Sequence, residues 1–158
     1  MFRPLNRIKQ ALSEEECLEI MKNELRGVLS LNGEDGYPYG VPINHFYNEE
    51  DGCLYFHGGK IGYKIDMIRE NNKASFCVMD KGVRDEKGWW LNIRSVIAFG
   101  KIEFVEDEEI VADISRKLSL KFIDDEEFIA REIQDSLKTT LMFRMKIEHL
   151  SGKRVREK

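Results

Sequence analysis

Apolar and polar positions along the chain alternate between two periods. From Ser13 onward, apolar residues recur at Cys17, Ile20, Met21 and Leu25, the spacing of a helix. Ser13 with Glu16 makes a capping box at its entrance. A helix over 13–25 follows, ended by Gly27. GVLSL (27–31) then reads as a strand, NGEDG (32–36) as a turn and YGVPINHF (39–46) as extended chain. Pro42 lacks a ladder donor, so it belongs at a bulge, on an edge or beside a ligand. NEEDG (48–52) is a second turn, and CLYFH (53–57) is the next strand.

In and after the glycine turn, Ile61, Ile65, Ile68 and Asn72, with Met67, predict another helix that ENN (70–72) stops. ASFCVM (74–79) is a strand, DKGVRDEKG (80–88) a charged loop, and RSVIAFGKIEFVED (94–107) one long strand kinked at Gly100. Asp107 caps a helix carrying Ile110, Val111, Ile114 and Leu118. Asp124 with Glu127 opens one carrying Phe128, Ile129, Ile133 and Leu137. LMFRMKIEHL (141–150) alternates as a half-buried strand. The pattern is mainly β with peripheral helices, six strands in an antiparallel sheet. Such a sheet avoids free edges by closing into a small barrel. The chain reads as one domain over 1–158, with 1–12 and the basic tail 151–158 as flexible ends.

Composition narrows the partners. A net charge of −4 argues against nucleic acid, which needs a basic field. No apolar run reaches the roughly 20 residues of a membrane span, and the start has no secretory h-region. Cys17, Cys53 and Cys77 are odd in number and form no CxxC pair, so buried free thiols in a reducing, cytoplasmic setting are expected. His45, His57 and His149 form neither HxH nor HExxH, so no metal centre is expected.

The chemistry concentrates in LYFHGGKIGYKIDMIRENN (54–72). Lys60 precedes the helix and Lys64 falls in or near its first turn, where a helix favours acids. A strand end, a glycine turn and a helix N-terminus make an anion site; they also make an ordinary turn with solvated lysines, and local sequence weighs the two evenly. His57 stands at the mouth of this turn. Arg94 and Ser95 open the long strand and suit either a phosphate clamp or plain surface. Trp89 and Trp90 cannot both enter one core from a strand, so at least one is expected on a ligand or another subunit, or as a partly exposed cover over the core.

The order of YPYGVPINHFY, LYFHGGKIGYKIDMIRENNKASFCV, RSVIAFGKIEFVED and a closing strand ending in SGKR resembles the pyridoxamine 5′-phosphate oxidase-like flavin proteins. The chain is most similar to their 5-nitroimidazole antibiotic resistance (Nim-type) branch, over residues 5 to 154. The resemblance implies an FMN-binding split barrel, a homodimer with flavin at the interface, and a small-molecule substrate. It implies that Val41, Pro42, Ile43 and Asn44 lie along the flavin ring. Lys64, helped by Lys60, would hold the phosphate, and Ser95 with Arg94 would complete the phosphate and ribityl site. His57 would sit near the flavin and could donate a proton to a reduced nitro compound or other small electrophile.

The chain also departs from true pyridoxamine phosphate oxidases. Those have an arginine-rich strand in place of YPYGVPIN, an Arg-Lys pair in place of Tyr63-Lys64, and a glutamine in place of Ser95. Vitamin B6 oxidation is therefore not expected, and Trp89 and Trp90 would shape a different substrate pocket. Binding of flavin without turnover, or of haem or a deazaflavin on the same barrel, are the alternatives. Without a GxGxxG motif, NAD(P)H would have to bind over the flavin face.

Overall fold

The computed structural model describes residues 2–86 and 88–157. Eight strands form one antiparallel sheet in the order β2-β1-β5-β7-β8-β4-β3, with β6 beside β7. They are β1 (Arg26–Asn32), β2 (Pro38–Asn44), β3 (Phe46–Asn48), β4 (Cys53–Gly59), β5 (Lys73–Met79), β6 (Val83–Arg84), β7 (Leu91–Val105) and β8 (Thr140–Glu157). The helices are α1 (Glu14–Asn23), α2 (Tyr63–Glu70), α3 (Glu108–Ser119) and α4 (Glu126–Ser136). The sheet curls, but its path ends at β2 and β3 without a ladder joining them, so the barrel is split rather than closed.

The expected six strands become eight for local reasons. The run 39–46 breaks at His45, whose ring turns inward and meets the Met21 carbonyl through Nε2 at 2.7 Å. The charged loop contributes the short β6, which pairs with Asn92 and Leu91. β8 continues to Glu157 opposite Leu91 because β7 offers it a ladder over that length. The N-terminal stretch is also tied at one point, through an Ala11–Lys153 bridge.

Both long strands bend at one place. Their register shifts between Phe99 and Gly100, where a Cβ on Gly100 would lie 2.1 Å from the Lys146 carbonyl oxygen. Only glycine permits that approach. Pro42 lies on an edge strand, opposite Val28, as a missing donor requires.

The main core fills the barrel with Leu29, Leu54, Phe56, Phe76, Val96 and Phe143. α1 closes it with Cys17, Ile20 and Met21, and α2 with Ile65, Met67 and Ile68. The capping box at Ser13 and Glu16 is formed in both directions. A second cluster packs Tyr55 and Met142 against Val111 and Ile114 of α3. Three expectations shift. Ile61 is 90% exposed because α2 starts only at Tyr63. The last helix is capped by Asp125 rather than Asp124, and of its stripe only Ile129 is buried. Cys17 and Cys53 are buried free thiols, but Cys77 is half-buried, because position 77 of β5 faces outward.

Candidate functional site at the entrance of α2

The open seam of the barrel lies between the path ends β2 and β3, and α2 follows directly on β4, the strand next to β3. Gly62 is the N-cap of α2 at φ 131°, a value side chains rarely adopt, and no side chain caps the helix. The first turn carries one acid, Asp66, against its partial positive charge. Tyr63 pins this entrance to the β1–β2 turn. Its hydroxyl accepts the Glu34 N–H at 3.1 Å, and its ring stands edge-on to Tyr39 at 4.7 Å. Nothing local in the sequence marks Tyr63 for this role, because its ring partner Tyr39 lies in another strand.

Lys64 is half-buried. Its Nζ lies where Gly58 leaves room: a Cβ there would sit 3.0 Å from it. The ammonium also lies over the Phe143 ring, 5.9 Å from its centroid. Burial pushes the Lys64 pKa down. Among the described residues no carboxylate lies within ion-pair distance of it. A half-buried cation without a counter-charge beside an uncapped helix is an arrangement that an anion would complete. Lys60 is exposed and lines a neighbouring pocket of about 300 Å³ with Lys138, Thr140 and Leu141.

The other expected residues are less closely gathered. Leu54 and Phe56 of β4 face the main core, and Cys53 and Tyr55 face the second cluster. By the same alternation Gly58 faces the Lys64 side and His57 the opposite side. His57 keeps an exposed ring, yet desolvation by the surrounding protein, then the Lys64 charge, hold its imidazole below the usual histidine range. In β2, Ile43 points into the core, Pro42 is exposed, and Val41 and Asn44 are half-buried. The Asn44 Oδ1 is buried without a hydrogen-bond partner. Such an orphaned acceptor fits a ligand that brings its own donor.

Arg94 and Ser95 lie toward the start of β7, whereas Phe104, near its end, faces the Phe143 ring beside Lys64. Arg94 is already engaged. Its Nε donates to Asp80 Oδ2 at 2.8 Å and its backbone N–H to Asp80 Oδ1 at 2.9 Å. This clasp holds the Asp80 carboxyl below its usual range. Ser95 is half-buried, next to Met79 and Lys153 in the ladder. Trp89 is 71% exposed, and Trp90 is half-buried with the Arg156 guanidinium 4.0 Å over its ring. Neither indole enters the core. Among the described residues no cluster of metal-ligating side chains forms, and no helix is long and apolar enough to cross a membrane.

A curled antiparallel half-barrel, with the half-buried Lys64 at an uncapped helix entrance, defines a split-barrel protein. The chain belongs to the pyridoxamine 5′-phosphate oxidase family, whose model matches residues 13–154. No curated protein matches it significantly. Among solved structures it is similar to a protein from Bacteroides thetaiotaomicron assigned to 5-nitroimidazole antibiotic resistance (21% identity, TM-score 0.76, 93% of this chain and 87% of that one). It is similar to an FAD-binding protein from Mesorhizobium loti (25%, TM-score 0.65, 92% and 97%). It also resembles an FAD and haem binding protein from Mycobacterium smegmatis (22%, TM-score 0.63, 92% and 72%).

Proposed function

We propose that this protein is an FMN-dependent oxidoreductase acting on nitro compounds or other small electrophilic organics. The observation that carries the reading is Lys64, a half-buried ammonium that has no carboxylate partner among the described residues, at the uncapped entrance of α2. A flavin phosphate would supply its counter-charge, with Lys60 adding field from the rim. The backbone of Val41 to Asn44 would run beside the ring, and the Asn44 Oδ1 would accept a ring or ribityl donor. A bound flavin would supply the electron transfer. The chain's own residues would bind it, orient it and shield one face.

At neutral pH the His57 imidazole is predominantly neutral, because its pKa is held down. A phosphate beside Lys64 would offset that lysine's charge and raise the His57 pKa toward the range useful for proton donation. The placement of His57 on the other face of β4 from Lys64 favours a second reading, in which flavin is bound without turnover. The haem alternative rests on His57. The His45 ring is fully buried against Met21, and His149 is stacked on Phe2 at 4.8 Å.

The neighbours named for FAD make the flavin's identity a sharp question. Purified protein titrated with FMN and with FAD, followed by chromatography of the retained cofactor, answers it. We expect FMN, held tightly enough to survive gel filtration and bleached by NAD(P)H or dithionite. Retention of FAD would overturn the FMN assignment, and a colourless protein that ignores both would overturn the flavin reading. Nitro-compound turnover with NAD(P)H then separates enzyme from carrier.

A second copy would complete the site. Pro42, Val28, Cys77 and Ile97 form one cross-strand row on the outer face of β2, β1, β5 and β7. Pro42, Val28 and Ile97 are exposed, and a homodimer would bury that row.

A further inference from the structure

We infer that the N-terminal arm and β8 build a second anion site, a cationic pocket for the diphosphate group of a nucleotide or of free pyrophosphate. The two ends of the sequence supply its charges. Residues 1–9, MFRPLNRIK, carry Arg3, Arg7 and Lys9 without an acid, and SGKR (151–154) carries Lys153 and Arg154. The Ala11–Lys153 bridge joins these two runs, and the Leu12 N–H donates to the Gly152 carbonyl at 2.9 Å. Between them lies a pocket of about 370 Å³, lined by Arg3, Pro4, Leu5, Asn6, Arg7 and Lys153. Its lining holds three cations and no carboxylate. Among the described residues, Arg3, Arg7 and Lys153 make no ion pair. Glu16 reaches this end of β8 from α1, but both its oxygens are taken. Its Oε1 accepts from the Arg154 guanidinium at 2.6 Å and its Oε2 from the Ser13 N–H at 2.9 Å. In a chain of net charge −4, three convergent cations without an acid are a local exception that an anion would relieve.

Solvated arginines on a loose tail would call for no ligand, but this arm is held. The Phe2 ring stacks on His149 at 4.8 Å and leans on Phe99 at 5.4 Å. Pro4 fixes one φ angle. The Arg7 carbonyl accepts the Gln10 N–H at 2.9 Å in a single 3-10 turn, Ile8–Gln10. An arm pinned at both ends keeps Arg3 and Arg7 beside Lys153 before a ligand arrives, which lowers the ordering cost of binding. Guanidinium forks match phosphate oxygens. One phosphate ester brings a charge of about −1.5 to −2, so a diphosphate meets three cations better than a monophosphate does. The Lys64 entrance is elsewhere. Lys153 lies ten residues beyond Phe143, the ring under the Lys64 ammonium, on the same strand. That is roughly 30 Å along a straight strand at about 3.3 Å per residue, so a flavin phosphate on Lys64 would not fill this pocket.

Calorimetric titration with pyrophosphate and with ADP at low salt tests the site. It is run on the native chain loaded with FMN, which fills the Lys64 entrance, and on Lys64→Ala, which lacks that entrance. Both should bind a single pyrophosphate per chain, more weakly as salt is raised. Arg7→Gln and Lys153→Gln should each weaken that binding about tenfold. Thermal unfolding and FMN retention should stay at the native values in both. ADP bound as well as pyrophosphate makes a nucleotide the ligand, and ADP refused makes it the free anion; either result supports the site. Unchanged binding in the Arg7→Gln, Lys153→Gln double variant, or no pyrophosphate binding by either starting protein, would overturn the inference. Displacement of pyrophosphate by single-stranded RNA at lower concentration than by ADP would overturn the small-ligand assignment. FMN retention is read separately, so the flavin reading and this inference can fail independently.

Discussion

Gly58, Lys64 and His45 set two local electrostatic properties of this molecule. Gly58 leaves the space that the Lys64 ammonium uses. In Gly58→Ala the new methyl would meet that flexible ammonium rather than backbone, so the fold should survive. We expect thermal unfolding near that of the native chain, with FMN affinity reduced about tenfold, measured by flavin fluorescence titration. Lys64→Ala should lower affinity by about 10- to 100-fold, the usual worth of a charge-assisted hydrogen bond. His45 governs a different property. Burial, then the nearby Lys121 charge, hold its pKa down to about 4, against 6.5 for the ordinary group. The unfolded chain therefore binds a proton near pH 6.5 that the folded chain refuses until about pH 4. Stability should fall as pH drops through that window, by on the order of 3 kcal/mol. Urea unfolding from pH 7 to 4 measures the slope, and His45→Gln should flatten it.

At the scale of elements, the long β7–β8 ladder depends on a glycine and the segment before β7 on an ion pair. Gly100→Ala would drive a methyl into the Lys146 carbonyl oxygen, which belongs to backbone and cannot yield. A loss of about 3 kcal/mol is expected in chemical denaturation. Asp80→Asn should act more locally. It weakens the hold on Arg94 and should speed proteolysis within 80–90, with little change in global unfolding. A phosphate-gripping role for Arg94 instead predicts a large loss of flavin affinity in Arg94→Ala with the segment unchanged. The helix entrances were readable because capping is local chemistry: Ser13 with Glu16 and Asp107 sit where their spacing put them. The start of α2 was misplaced by two residues because Ile61 mimics the helical stripe while Gly62, at positive φ, delays the helix.

For the whole molecule, the proposed homodimer is tested at the exposed apolar row on the outer sheet face. Ile97→Lys places a charge at the β7 end of the exposed row at little cost to a monomer. It should shift sedimentation from dimer to monomer and, with the site incomplete, loosen FMN. An unchanged sedimentation coefficient would show that this face is not the interface.

The sequence by itself determined six extended regions, the order of most elements, the kink at Gly100, the short choice of places open to Pro42 and the lysine-flanked glycine turn. Each depends on periodicity, on caps or on the limits of glycine and proline, which act over a few residues. Only the tertiary structure decided which side chains share a space. It engaged Arg94 with Asp80, set His57 across β4 from Lys64, carried β8 out to Glu157 and stood Trp89 in solvent while Arg156 covered Trp90. Those outcomes depend on ladder register and on partners dozens of residues away, and no local pattern encodes that distance.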